Sequence, residues 1–352
     1  MHTQKLATTP RADSPRLRRN TARILASVLL LALTACGGSA EEDADGNPGS
    51  QTSATPVPDG VLTKAAAKRV VDAYEKTNNQ ANKIQDEGLL ATVEGGQLHE
   101  QSKADYAAFD TWPKADQNAY RTAFVYEDRE YLIPRQSPNT TWFAVQAKSS
   151  YGNGTRTLLF FDKVGSTYKM VMSLYTDNDD ALPQIARDRH GLAEAVDPSQ
   201  QIGQITPTEL TAAFQDLYET GGQGEGKELA STDVTKAALK TYRTSEKSGA
   251  ANGMATVKFF AEEPAHAKVY ALRTASGGVL AAFPAAHTRE TLLKPAYRSS
   301  HHLVPTDRQK ALGVGLGQTA LLTDEFQGQG LAILSQASAR IAEMDLQHVD
   351  AR

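Results

Sequence analysis

Residues Gly221 to Glu228, GGQGEGKE, nearly satisfy the phosphate-binding pattern G-x-x-x-x-G-K-[ST]. In such a loop the glycine amides cradle phosphate, the lysine reaches the outer phosphates and a hydroxyl binds magnesium, all between a strand and a helix. Here the segment follows a helical stripe ending at Tyr218, and Glu228 stands where the hydroxyl belongs. Glu225 and Glu228 repel phosphate. The expectation is a helix-ending loop, not a nucleotide site.

The other chemical candidates meet similar objections. Asp177-Asn178-Asp179-Asp180 clusters carboxylates that suit a hard cation. Counted as a calcium loop from Asp177, however, it has Ala181 at position 5 and Leu182 where the sharp turn needs glycine. Position 12 is the short Asp188. A solvated acidic turn is expected, with a casual surface calcium site as the alternative. Ser166-Thr167-Tyr168-Lys169 fits the S-x-x-K of penicillin-recognising enzymes, but in those the serine opens a helix. Ser166 falls at a strand turn, where positions three apart point to opposite faces. Adjacent His301 and His302 diverge along a strand and have no cysteine or H-E-x-x-H partner for zinc. Gly313-Val314-Gly315-Leu316-Gly317 lacks the third spaced glycine of a dinucleotide loop and reads as close packing in a strand. There is no G-x-S-x-G. No catalytic, cofactor-binding or metal residue is assigned, and no cofactor is expected.

One residue does carry an assigned chemistry. The chain has a single cysteine, Cys36. Before it lie a basic region (Arg11, Arg16, Arg18, Arg19, Arg23) and an apolar run, Ile24 to Ala35. Twelve helical residues rise about 18 Å, short of the roughly 30 Å hydrocarbon core. The segment therefore reads as a signal peptide and not as a membrane span. Leu33-Thr34-Ala35-Cys36 resembles the lipobox of bacterial lipoproteins. That resemblance implies a diacylglyceryl thioether on Cys36, cleavage after Ala35, N-terminal acylation of the palmitate type, and anchoring on the outer face of the cell membrane. Two acyl chains anchor stably where one binds only marginally. Residues 37–60, rich in Gly, Ser, Asp, Glu and Pro and free of aromatics, bury too little apolar surface to fold and read as a disordered tether.

Charge narrows the partners. Six of the 37 Lys and Arg and one of the 41 Asp and Glu precede Cys36, so the mature chain carries 31 bases against 40 acids, net −9. Such a surface disfavours nucleic acid. With Cys36 committed to lipid, stability comes from apolar cores, and the chain is long enough for two domains.

The positioning elements then follow. Leu62, Ala66, Val70, Tyr74, Ala81 and Ile84 approximate one face of a helix over 62–86, and a second helix is expected over 102–109. Strands are predicted at 123–126, 130–133, 142–147, 157–161 and 168–175, with Tyr168, Met170, Met172 and Leu174 on one face. The polar stretch 177–205 reads as a linker with one short helical piece. Thr206-Pro207-Thr208-Glu209 is a capping box that opens a helix striped by Leu210, Phe214, Leu217 and Tyr218 and stopped by Gly221-Gly222. Val234, Ala238 and Tyr242 mark another helix. Strands at 254–260, 268–273 and 279–283 follow, the last two joined across Ser276-Gly277-Gly278. Further short apolar runs lie near Leu312, Leu331 and Ile341.

The expected organisation is a signal peptide (1–35), lipidated Cys36 and tether (36–60), an N-terminal α+β domain (61–176), a linker (177–205) and a C-terminal α+β domain (206–352). Each domain is read as helices packed on a curved antiparallel sheet. The arrangement resembles nuclear-transport-factor-two-like and cystatin-like folds, and the whole chain resembles actinobacterial lipoproteins of unknown function. The function expected is a non-catalytic binding or interaction module at the cell envelope. Its partner would be a small ligand, a lipid, a wall polymer or an envelope protein. The alternatives are a structural or assembly lipoprotein, and a hydrolase- or isomerase-like enzyme whose site forms only in the fold.

Overall fold

The computed structural model of the chain describes residues 4–7, 59–150, 156–176, 182–315 and 317–352. Cys36, most of the tether and Asp177–Asp180 lie outside the described residues. Gln4–Ala7 forms a short strand, β1, parallel to His301–Val304 (β9). It belongs to the segment that cleavage before Cys36 would remove.

The N-terminal half opens with helix α1 (Lys64–Ile84). Thr63 caps it by accepting the Ala66 N–H, and Gln85, in the left-handed region at φ 54°, ends it. Ala67, Val71, Tyr74, Asn78 and Ala81 are its buried positions, and Ile84 is 61% exposed. The buried stripe therefore runs one residue on from the expected one at Ala66 and Val70. The interior-facing Asn78 has no apolar signature in the sequence. After α2 (Glu87–Leu90), α3 (Gly96–Ala108) and α4 (Lys114–Tyr120) comes an antiparallel meander. Its strands are β2 (Tyr126–Leu132), β3 (Trp142–Ser149), β4 (Arg156–Val164) and β5 (Thr167–Thr176), hydrogen-bonded in that order.

The meander is buried on both faces. Phe143, Val145, Ala147, Leu159, Phe161 and Met170 pack beneath α1 with Val71 and Tyr74. Trp142, Ala144, Leu158, Phe160, Met172 and Leu174 face the other way. Strict alternation puts Met170 on one face with Met172 and Leu174, but it lies on the opposite one. Phe161 pairs with Met170 and Phe160 with Met172, so Val171 is the extra residue of a β-bulge that reverses the phase.

The C-terminal half repeats the plan. The capping box at Thr206–Glu209 is present and leads into α5 (Leu210–Glu219), followed by α6 (Asp233–Ser248). The sheet is ordered β11 (Ala339–Ala351), β10 (Leu321–Leu334), β8 (Val279–Leu293) and β6 (Ala255–Ala261). Strand β7 (Tyr270–Arg273) pairs with the first residues of β8, beyond the stretch that β6 covers. Leu210, Phe214 and Leu217 of α5 pack on Val279, Ala281 and Phe283. Gly330 lies under Phe283, where any Cβ would come within 2.4 Å of the ring. A short helix, α7 (Asp307–Ala311), precedes Gly313, which sits in a turn and not in the expected strand.

The two sheets pack face to face, with helices outside them. Trp142 and Phe160 meet Tyr270 at centroid distances of 5.3 and 5.2 Å, beside Leu272, Leu280, Ala282 and Leu331. Each such ring removes roughly 150–250 Å² from water, at about 25 cal/mol per Å². Residues 182–205 enter two cores, Ile185 and Ala193 this one and Val196, Ile202 and Ile205 the one beneath α5. Ile185, Ala193, Val196, Ile202 and Ile205 are buried, and the segment runs as isolated bridges and turns with no helix. The polar composition of the stretch hid five apolar anchors.

Helix α3 locks the halves together. Gln97, Gln101 and Asp105, four residues apart, are buried against the C-terminal sheet. The Gln97 amide donates to Gln327 Oε1 at 2.8 Å, Gln101 Oε1 accepts from Gln329 Nε2 at 2.9 Å, and Gln347 donates to the Asp105 carboxylate. Gln329 Oε1 also accepts the Ser173 N–H at 2.7 Å, tying β5 into the same network. Polar groups that bond one another in a dry setting fix geometry more than they add stability.

Candidate functional site

A groove of about 720 Å³ opens at the start of α1. Its walls are three chain segments held by backbone hydrogen bonds. The ribbon Ile133–Gln136 runs through the middle. On one side Val61 N donates to Pro134 O at 3.0 Å and Gln136 N to Asp59 O at 2.9 Å. On the other, Ala193 N donates to Ile133 O at 2.9 Å. Gly60 lets the sides approach, because a Cβ there would lie 2.8 Å from Ile133 Cγ2 and 3.0 Å from Leu192 Cδ2.

The loop at 188–192 is a compact Asp-anchored turn. Asp188 Oδ1 accepts the His190 and Leu192 N–H groups, and Arg135 pairs with Oδ2 at 2.8 Å. The bond from Arg135, together with those amides, lowers the Asp188 pKa from its ordinary value. Leu62, Ile133 and Leu192 supply the apolar floor, with the Tyr131 ring beside them and Lys64 Nζ 6.0 Å from its centroid. Asp59, Thr63, Arg129, Glu130, Gln136, Arg187 and His190 complete the polar lining.

Both guanidiniums are already engaged. Arg129 donates through Nε to Tyr126 O, through Nη1 to Asp72 and through Nη2 to Glu75. Burial pulls its pKa down, but the Asp72 bond and the Glu75 charge outweigh this and raise it. Arg187 bonds Gly191 O, Glu130 and Tyr131 O. A bulge in β2 between Glu127 and Glu130, with Asp128 at φ 49°, brings Arg129 and Tyr131 to these positions.

A second polar cluster closes one rim of the seam between the sheets. Asp162, only 5% exposed, accepts from Lys268 Nζ at 2.7 Å, Tyr270 OH at 2.9 Å and Thr141 OH at 2.7 Å. His266 Nε2 lies 2.7 Å from the same Tyr270 oxygen. Burial alone would raise the Asp162 pKa, but the bonds from Lys268 and Thr141 lower it. The cluster is saturated with internal partners and serves as a clasp.

The residues singled out in the sequence do not converge. In the glycine loop, Gly224 and Gly226 donate their N–H groups to Asp216 Oδ2 at 2.8 and 2.9 Å, so a carboxylate of the chain itself fills the cradle. Lys169 donates to Ala91 O and Ser166 sits in the hairpin turn, so the serine and lysine form no pair. His301 bonds Ser300 Oγ at 2.8 Å. Among the described residues no three His, Cys, Asp or Glu side chains group as a metal site requires, and no helix is long and apolar enough to cross a membrane. The groove was missed because its only sequence signal is the charged, bulged strand YEDREYL, whose partners lie far off in the chain.

Residues 58–351 match the family described as Domain of unknown function (DUF8094). The chain belongs to this family. It is 32% identical over 285 residues to an uncharacterized lipoprotein of Streptomyces coelicolor, covering 79% of each chain. A relative named as a lipoprotein agrees with the lipoprotein class read from Leu33–Cys36.

Proposed function

We propose that this protein is a membrane-anchored, extracytoplasmic binding module whose ligand occupies the groove at the base of α1. The observation that carries this is the groove's construction. It has the size of a small-ligand cleft, an apolar floor, a fixed polar lining, and walls held by backbone hydrogen bonds before any ligand arrives. None of the buried histidines and carboxylates with displaced titration is among the groove's lining residues: His99, His266, His287, Asp162 and Asp324 lie elsewhere, and Glu75, raised by burial, stands behind the lining as a partner of Arg129. That distribution favours binding over acid–base catalysis.

The anchor would be the lipid on Cys36. The groove begins at Asp59, where the tether meets the folded body, so a flexible tether of this length would hold it at a root-mean-square distance of roughly 25–30 Å from the membrane. Replacing Cys36 with Ser is expected to move the protein from the membrane fraction to the precursor or soluble pool.

The groove is tested by Lys64→Trp, a change at an exposed rim position that overhangs the floor. Native mass spectrometry of protein purified from its own membranes is expected to show a bound species that the variant loses. A wild type carrying nothing, or a variant carrying the same adduct, would remove the groove as the binding site.

A further inference from the structure

The ligand's chemistry can be read from which polar groups in the groove remain available. Arg129 and Arg187, the strongest anion-binding groups in the lining, are already paired with Asp72, Glu75 and Glu130 and bond Tyr126 O, Gly191 O and Tyr131 O besides. A phosphate or carboxylate would compete with the acids that already balance these cations, and its charge would meet Asp59 and Glu130. An acyl chain fares no better. It would use the floor alone, while the exposed Asp59, Lys64 and Gln136 around it gained nothing from methylenes.

What the groove does present is a balanced set. The Asp59 carboxylate accepts, as does the Glu130 oxygen not bonded to Arg187, the Lys64 ammonium donates, and the Gln136 amide does both. These surround one aromatic face, Tyr131, and an apolar floor of Leu62, Ile133 and Leu192. A sugar ring has the matching two-sided character, with hydroxyls that donate and accept at its edge and C–H groups on its face.

We propose that the groove takes a neutral oligosaccharide. The proposal rests on the binding reading above and specifies its ligand class. Tyr131 stacks on the C–H face of a ring, while Asp59, Lys64 and Gln136 engage its hydroxyls. Neutrality suits a lining whose guanidiniums are already balanced by acids.

The test is calorimetric titration of the full mature chain with four probes: N-acetylglucosamine trisaccharide, maltotriose, inorganic phosphate and decanoate. At least one saccharide is expected to bind. Tyr131→Ala and, separately, Asp59→Asn at an exposed position should each weaken it about tenfold. Asp59→Asn should leave the melting temperature within about 2 °C of wild type, which separates loss of contact from loss of fold. Saturable phosphate or decanoate binding, abolished by Lys64→Trp, with no saccharide binding would overturn the saccharide and leave the groove a binding site. If neither saccharide binds, the saccharide assignment fails whatever else is found. If all four are silent and Lys64→Trp retains the native adduct, the binding reading falls as well.

Discussion

The Asp216 carboxylate lies 2.9 Å from the backbone nitrogen of Gly226, inside the glycine loop that a phosphate would need. Gly224 N–H donates to the same oxygen, and the Thr220 hydroxyl donates to the other. The loop is an anion cradle that the protein fills for itself. Its glycines serve the turn after α5, since Gly221 and Gly222 adopt φ near 79° and 78° and a Cβ on Gly226 would press on Leu217 and the Ala213 carbonyl.

Asp216→Ala is therefore expected to destabilise the fold by about 1–3 kcal/mol, the range for charge-assisted hydrogen bonds whose partners are left behind. Lys227→Ala should be nearly neutral. Thermal melts of both variants, with and without ATP–magnesium, check this. A nucleotide-induced rise in the wild type that Lys227→Ala abolishes would show that the cradle opens to phosphate.

The two halves share the core around Trp142, Phe160 and Tyr270 and the glutamine network of α3. Fragments 59–181 and 182–352 made as separate chains should co-purify when expressed together. The N-terminal piece alone should be poorly soluble, because its sheet would expose an apolar face. Two soluble, independently melting fragments would contradict a shared core.

His287 lies among Tyr218, Phe259 and Phe326. Burial, aided by the Arg289 charge, pulls its pKa from 6.5 to about 3. Between those values the unfolded chain binds a proton that the native state refuses, so stability falls as pH falls, by about 1.4 kcal/mol per unit. Asp324 acts lower. Burial would raise it, but bonds and charges from His348 and Arg289 hold it at about 2. Its contribution is present above 3.8 and lost as pH drops through about 2. Urea unfolding at pH 7, 5.5 and 4.5 should show the upper slope, and His287→Phe should reduce it by about one proton. An unchanged slope in that variant would assign the acid sensitivity elsewhere.

The bulge at Val171 makes a directional prediction about deletions. Removing Val171 restores regular pairing and keeps Met172 and Leu174 on the seam face, at a cost of about 2–3 kcal/mol for the lost core side chain. Removing Ser173 turns Leu174 toward α1 and Tyr175 toward the seam. The first variant should give a cooperative melt by circular dichroism and the second should not. Equal behaviour would mean that β5 tolerates either register.

The sequence by itself determined what local signals can encode. The Thr206–Glu209 box opens its helix, the α5 stripe lies where Leu210, Phe214 and Leu217 put it, the β4–β5 and β7–β8 turns form, and the lipoprotein class is legible around Cys36. These depend on residues within a turn or two of one another, where spacing alone decides the outcome. Tertiary structure decided the rest. Gln97 meets Gln327 across 230 residues, so α3 shows no apolar stripe and its polar face reads as solvated until the second sheet covers it. Val171 reverses a strand that period-two alternation treats as uniform. The groove draws on residues 59–64, 129–136 and 187–192, each unremarkable alone, because closing those long loops is set by the packed core and not by any one segment's preference.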